Sequence, residues 1–67
     1  MKVFARIETA ESVKNIHEVL HEADGLIISV DEIQPYLTKN KIDVFSIIAA
    51  CKKLGKPVFI HYVYGVE

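Results

Sequence analysis

A single cysteine, Cys51, stands in this chain of 67 residues, so no intrachain disulfide can form. Its place within an apolar helical pattern points to a reduced compartment. No apolar run approaches the length of a membrane span, and the first residues, Lys2-Val3-Phe4-Ala5-Arg6, are interrupted by charge in a way that a signal peptide is not. The expectation is a cytoplasmic protein without a membrane contact. Neither charge dominates: eight basic against nine acidic side chains give a net charge of −1, and neither sign gathers into a run. The basic field that non-specific nucleic-acid binding requires is therefore missing. Glycine is scarce as well, and its three copies form neither a phosphate loop nor a dinucleotide fingerprint. No Gly-x-Ser-x-Gly turn and no Ser-His-Asp arrangement can be read from the chain.

What the chain has is apolar material: hydrophobic residues make up 51% and charged residues 25%, a balance that excludes a disordered segment. A chain of this length makes one domain at most and buries a smaller share of its surface than an average domain. The expectation is a single domain over residues 1–67 that is foldable without being a complete fold.

The chain is organised around Ala23-Asp24-Gly25-Leu26-Ile27-Ile28-Ser29-Val30-Asp31-Glu32, which reads as a helix exit, a strand of nearly unbroken apolar residues, and two carboxylates where the strand ends. Such a run suits a central parallel strand covered on both faces. Before it, Val3 to Ile7 reads as a short strand, and Val13, Ile16, Leu20 and Ala23 recur at helical spacing from Ala10 onward. Thr9 or Glu11 can start that helix, and Asp24-Gly25 can end it with glycine in the left-handed conformation. After the central strand, Pro35 makes Ile33 to Leu37 a loop or irregular segment. Asn40 can then cap a second helix whose buried face carries Val44, Ile47, Ile48, Cys51 and Leu54, closed by Gly55. Val58 to Val63 reads as a third strand.

The order is β-α-β-α-β, an α/β unit, and right-handed crossovers make its three strands parallel. In sequential order both helices cover the same face and leave the other bare. A doubly wound order with the first strand central would put one helix on each side. Either the sheet departs from chain order, or something outside these residues covers the second face.

Ligands of parallel α/β sheets bind outside the carboxyl ends of the strands, which singles out Asp31 and Glu32 as candidate site residues beside the alternative of a solvated loop. His17 and His21 lie one helical turn apart, a spacing able to clamp zinc if a third ligand approached. They fall off the apolar stripe and no neighbouring cysteine or carboxylate pattern completes a zinc motif, so they read as surface histidines. Cys51 sits on a buried helix face, where a thiol is packing rather than a nucleophile. Tyr62 and Tyr64 share one face of the last strand.

Three segments resemble consecutive parts of pyruvate kinase, a glycolytic family whose catalytic domain is a (β/α)8 barrel. Ala5-Arg6-Ile7-Glu8 is similar to its Lys-Ile-Glu strand end, and Ala23-Asp24-Gly25-Leu26-Ile27-Ile28 to its Ser-Asp-Gly-Ile-Met-Val strand. Cys51-Lys52-Lys53-Leu54-Gly55-Lys56-Pro57-Val58 is similar to its Cys-Asn-Arg-Ala-Gly-Lys-Pro-Val turn, and Ser12-Val13-Lys14-Asn15-Ile16 to its Gly-Val-Arg/Lys-Asn stretch. The resemblance implies the sixth, seventh and eighth barrel strands, a partial TIM-barrel-like unit whose bare face the other strands would cover. It also implies a Mg²⁺- or Mn²⁺- and K⁺-dependent transfer of a phosphoryl group from phosphoenolpyruvate to ADP, giving pyruvate and ATP.

By the same resemblance Arg6 takes the place of the catalytic lysine, Glu8 and Glu32 take the places of the two metal-binding carboxylates, and Asp31 and Tyr62 fall at substrate-binding positions. Only Glu8 is unchanged from the family pattern. Arginine cannot reproduce the compact lysine ammonium, and glutamate for aspartate adds a methylene to a tight magnesium shell. Asp31 puts a negative side chain where the family has glycine against phosphate. Glu8 and Glu32, at the ends of adjacent strands, are expected about 5 Å apart. Two readings follow: a fragment or divergent relative of pyruvate kinase that is inactive alone, whose partner is the rest of its parent chain, or a non-catalytic assembly module that forms homo-oligomers through the bare sheet face.

Overall fold

The structure, a computed structural model, describes residues 2–61. Strands β1 (Phe4–Ile7), β2 (Gly25–Ser29) and β3 (Val58–His61) form one parallel sheet in the order β1-β2-β3. The sheet therefore follows chain order, and the doubly wound alternative falls. Ala5 stands beside Leu26 and Ile7 beside Ile28, while Leu26 and Ile28 stand beside Val58 and Ile60 on the other edge. In-register neighbours of a parallel sheet share a face. This is the face the helices cover, and Ile7, Leu26 and Ile28 are completely buried on it.

The first crossover is α1 (Ala10–Lys14) followed by α2 (Ile16–Glu22). The expected single helix is thus bent at Asn15, although Asn15 N–H still donates to Glu11 and Val19 N–H to the Asn15 carbonyl. Thr9 starts it with a capping box: its hydroxyl accepts from Ser12 N–H at 3.1 Å, and its own N–H donates to the Ser12 hydroxyl at 3.1 Å. Val13 and Leu20 carry this crossover into the core.

The second crossover departs from the sequence reading. The expected loop is helical: α3 runs Val30–Lys39 with Pro35 inside it, and α4 follows over Val44–Lys53. Val30, Ile33 and Leu37 recur at helical spacing and are buried in the common core. Proline within a helix costs about 3 kcal/mol through its missing donor and its clash with the preceding turn. Burial of each such aliphatic side chain returns roughly 1.5–3 kcal/mol, so three of them outweigh the proline. The cap of α4 is Asp43, whose carboxylate accepts from Phe45 N–H at 2.9 Å, and not Asn40. Asn40 instead closes α3, its side-chain amide donating to the Tyr36 carbonyl at 2.9 Å.

Both helices of this crossover end in the same motif with different residues. At α4, Gly55 takes φ +72°, its N–H donates to Lys52, and Lys56 N–H donates to Cys51. At α3, Lys41 takes φ 56°, its N–H donates to Thr38, and Ile42 N–H donates to Leu37. Each is a Schellman turn, whose left-handed residue is usually glycine because a Cβ there is strained. Gly25, by contrast, does not end a helix in the left-handed conformation as expected. It opens β2, and α2 ends at Ala23 in extended backbone. A Cβ at Gly25 would lie 2.6 Å from the Phe4 ring and 2.7 Å from the Pro57 carbonyl oxygen.

That contact arises on the second sheet face, where alternation puts Phe4 and Arg6 of β1, Gly25, Ile27 and Ser29 of β2, and Phe59 and His61 of β3. The Phe4 ring lies over Gly25 and reaches Phe59, with centroids 5.7 Å apart. Among the described residues no helix covers this face, and Phe59 is 57% exposed on it.

Relief of strain at Lys41 is expected to make Lys41→Gly more stable by about 1 kcal/mol, and Gly55→Ala is expected to cost a similar amount, both read from urea unfolding midpoints. A destabilised Lys41→Gly would contradict the first assignment. Gly25→Ala is expected to lose more, roughly 1–3 kcal/mol, because the backbone carbonyl of Pro57 cannot turn aside. An unchanged unfolding midpoint for Gly25→Ala would show that the three strands do not pack as described.

Candidate functional site

The carboxyl ends of β1 and β2 bring the sequence-derived candidates to one edge of the sheet. Arg6 is the third residue of β1, exposed on the uncovered face beside Ile27. Glu8 follows the last residue of β1 and is exposed, one position before the Thr9 cap of α1. β2 ends at Ser29, and Val30, Asp31 and Glu32 form the first turn of α3. Helix thus begins without an intervening loop, and Asp31 and Glu32 project from a helix terminus rather than a strand end. Tyr62 and Tyr64 lie outside the described residues.

This changes what the two carboxylates do. The first turn of a helix carries partial positive charge, and an acidic side chain there is worth about 0.3–1 kcal/mol. The Ser29 side chain makes no capping hydrogen bond to α3, so its own acidic residues supply the compensation. Asp31 also has a partner of its own. A helix N-terminus is otherwise ready to receive an anion. With Asp31 and Glu32 built into that turn, an incoming phosphate meets two negative charges as well as the helix end.

The expected spacing of Glu8 and Glu32 assumed two strand ends, and that premise fails because Glu32 is the third residue of a helix. Among the described residues no three histidine, cysteine, aspartate or glutamate side chains come together to hold a metal ion. Glu8, Asp31 and Glu32 therefore do not make a three-carboxylate site. Two carboxylates are nonetheless the number that magnesium commonly takes from a protein, the rest of its shell coming from water and phosphate. Glu8 and Glu32 fit that donor set in kind.

The structure also accounts for residues away from this edge. Asp24 ties the end of α2 to the start of β1, its carboxylate accepting from Val3 N–H at 2.6 Å while its N–H donates to the Val3 carbonyl at 2.7 Å. The Lys56 ammonium donates to the carbonyls of Leu20 and His21 at the carboxyl end of α2, where a cation complements the helix dipole. Sequence reasoning assigned no role to Lys56, and no local pattern marks it, since its partners are 35 and 36 residues away. Cys51 is completely buried and directs its thiol at the carbonyls of Lys56 and Pro57, at 3.4 and 3.6 Å. Burial pushes its pKa up, with the Lys56 charge opposing, so the thiol is held protonated and serves as packing. Among the described residues no helix is long and apolar enough to cross a membrane.

No family model matches the chain, and no solved structure does. Curated proteins do. Sixty-one residues are 36% identical to pyruvate kinase 2, cytosolic, of rice (Oryza sativa subsp. indica), covering 88% of this chain and 12% of that protein. Sixty residues are 35% identical to pyruvate kinase of Staphylococcus aureus strain MRSA252, covering 87% of this chain and 10% of that protein. The chain thus spans 10–12% of the length of these relatives. Over most of its own length, it is similar to a segment of pyruvate kinases.

Proposed function

We propose that the chain is a divergent relative or fragment of pyruvate kinase, three consecutive strands of barrel wall corresponding to the sixth to eighth, and that it does not transfer phosphoryl groups by itself. The observation that carries this reading is the sheet: parallel strands in chain order, helices on one face, and Phe4, Ile27 and Phe59 on an uncovered face. A closed barrel turns that face inward onto its remaining strands. The relatives' greater length offers those strands, and the remainder of a parent chain is the partner that this face fits.

Phosphoryl transfer is positioning and electrostatics on several sides of the transferring group. In the proposed parent, Glu8 and Glu32 would hold Mg²⁺ or Mn²⁺, which neutralises charge developing on phosphate oxygens when bound. Arg6 would bring a fixed positive charge from the sheet face, without the three rotatable donors of a lysine. Asp31 opposes phosphate at the start of α3. K⁺, ADP and most contacts to phosphoenolpyruvate would come from outside this segment, in a cytoplasmic enzyme of glycolysis. The segment supplies one wall of such a site and adds a negative charge to it at Asp31.

A second reading is favoured by the exposure of Phe59 beside Ile27: a non-catalytic module whose sheet face packs against the same face of another copy.

With phosphoenolpyruvate, ADP, Mg²⁺ and K⁺ supplied, the purified chain is expected to form no pyruvate above the uncatalysed background. Turnover that disappears in Glu8→Gln would overturn that expectation. For the second reading, sedimentation velocity at rising concentration is expected to show association that Phe59→Asp weakens. A compact monomer at every concentration would remove the assembly module and leave the barrel segment.

A further inference from the structure

The carboxylate edge leaves His17 and His21 unused. Both are exposed on α2, four residues apart. Side chains at that spacing share a helix face with Cβ atoms about 5–6 Å apart. One ring nitrogen of each can then reach a common ion at the ~2.0–2.1 Å of a metal–imidazole bond. The structure puts both rings along the same two grooves. One, of about 330 Å³, lies between α2 and α4, with Leu20, Ala50, Lys53 and Leu54 completing its lining. The other, of about 280 Å³, runs along α2 itself and adds Glu18 and Glu22.

The turn that carries these rings is held from beneath and from its end. Leu20, between them, is 2% exposed, and Lys56 fastens the carbonyls of Leu20 and His21. A fixed turn lowers the cost of bringing two ligands to one ion. The turn reads His17-Glu18-Val19-Leu20-His21, the His-Glu-x-x-His spacing in which two histidines of one helix hold zinc. The grooves carry the acidic Glu18 and Glu22 of α2 and the basic Lys53 of α4, and the Lys56 ammonium reaches the His21 carbonyl, so charges of both signs accompany the pair.

We propose that His17 and His21 form a two-imidazole clamp for a borderline divalent cation of the late first row such as Zn²⁺. Among the described residues no third histidine, cysteine or carboxylate joins them, so water completes the shell. Imidazole suits Zn²⁺, Ni²⁺ and Cu²⁺, whereas Mg²⁺ prefers oxygen donors. The clamp and the carboxylate edge therefore select different metals, and the clamp does not depend on the proposed kinase ancestry.

The test is calorimetric titration of the intact chain with Zn²⁺ alone, alongside amide and imidazole NMR. Saturable binding is expected, with shifts centred on His17 and His21. His17→Ala and His21→Ala should each weaken it at least about tenfold by abolishing the intramolecular second step. His61→Ala and Glu8→Gln should leave it unchanged. Both histidines are exposed, so the variants should keep their far-UV circular dichroism. Proton competition provides an arm without mutation: a metal-ligating imidazole must give up its proton, so binding should weaken as the pH is lowered. No saturation at millimolar Zn²⁺, shifts centred on Glu8 and Glu32, or affinity that survives loss of either histidine would overturn the clamp.

Discussion

The hydrogen bonding of β2 to a parallel strand on each edge is the constraint on which the rest of the structure depends. A middle strand whose neighbours are the preceding and following strands forces two crossovers of the same hand, and these must lie on the same side of the sheet. The four helices of the described residues therefore bury their apolar stripes against Leu26, Ile28 and Ile7 in one core. The second face receives none of them. Phe4 shields part of it by lying over Gly25 toward Phe59, but Ile27 and Phe59 keep apolar surface that the chain's own helices do not reach. The fold is a wall with one finished side.

The connections between wall and helices rest on groups that the strands alone do not explain. Asp24 exchanges two hydrogen bonds with Val3, and Pro57 accepts from Leu26 N–H at 3.0 Å, so each outer strand is joined to β2 at its start as well as along its length. In Gly55-Lys56-Pro57 every residue has separate work: the left-handed turn, the cation on the last carbonyls of α2, and the carbonyl beside β2. All three of these roles are structural. The candidate residues at the carboxyl edge, Arg6, Glu8, Asp31 and Glu32, are by contrast exposed.

The strands and the two amphipathic helices were legible because their signals are local: nearly unbroken apolar residues at Leu26 to Val30, a stripe through Val13, Ile16 and Leu20, and a glycine where α4 turns. The helix after β2 was hidden by Pro35 and by Lys41. Proline reads as a break, yet the Val30, Ile33 and Leu37 stripe shows the helical period across it. Lys41 adopts the conformation that Gly55 signals openly, so α3 ended without its usual mark. At the site, the order of Arg6, Glu8, Asp31 and Glu32 along the edge could be read in sequence. The backbone carrying Glu32 could not, because the same residues serve as a strand end or as a helical first turn. The uncovered face followed from counting helices against faces; strand order required the structure.

That order is the most direct test of a barrel-wall reading against a self-contained doubly wound domain. Cross-strand NOEs measured on the chain in solution should connect Ala5 with Leu26 and Leu26 with Val58, placing β2 between its neighbours, with none joining the backbones of β1 and β3. Backbone contacts between β1 and β3, with β2 at an edge, would contradict it and with it the assignment of the chain to a wall of consecutive barrel strands.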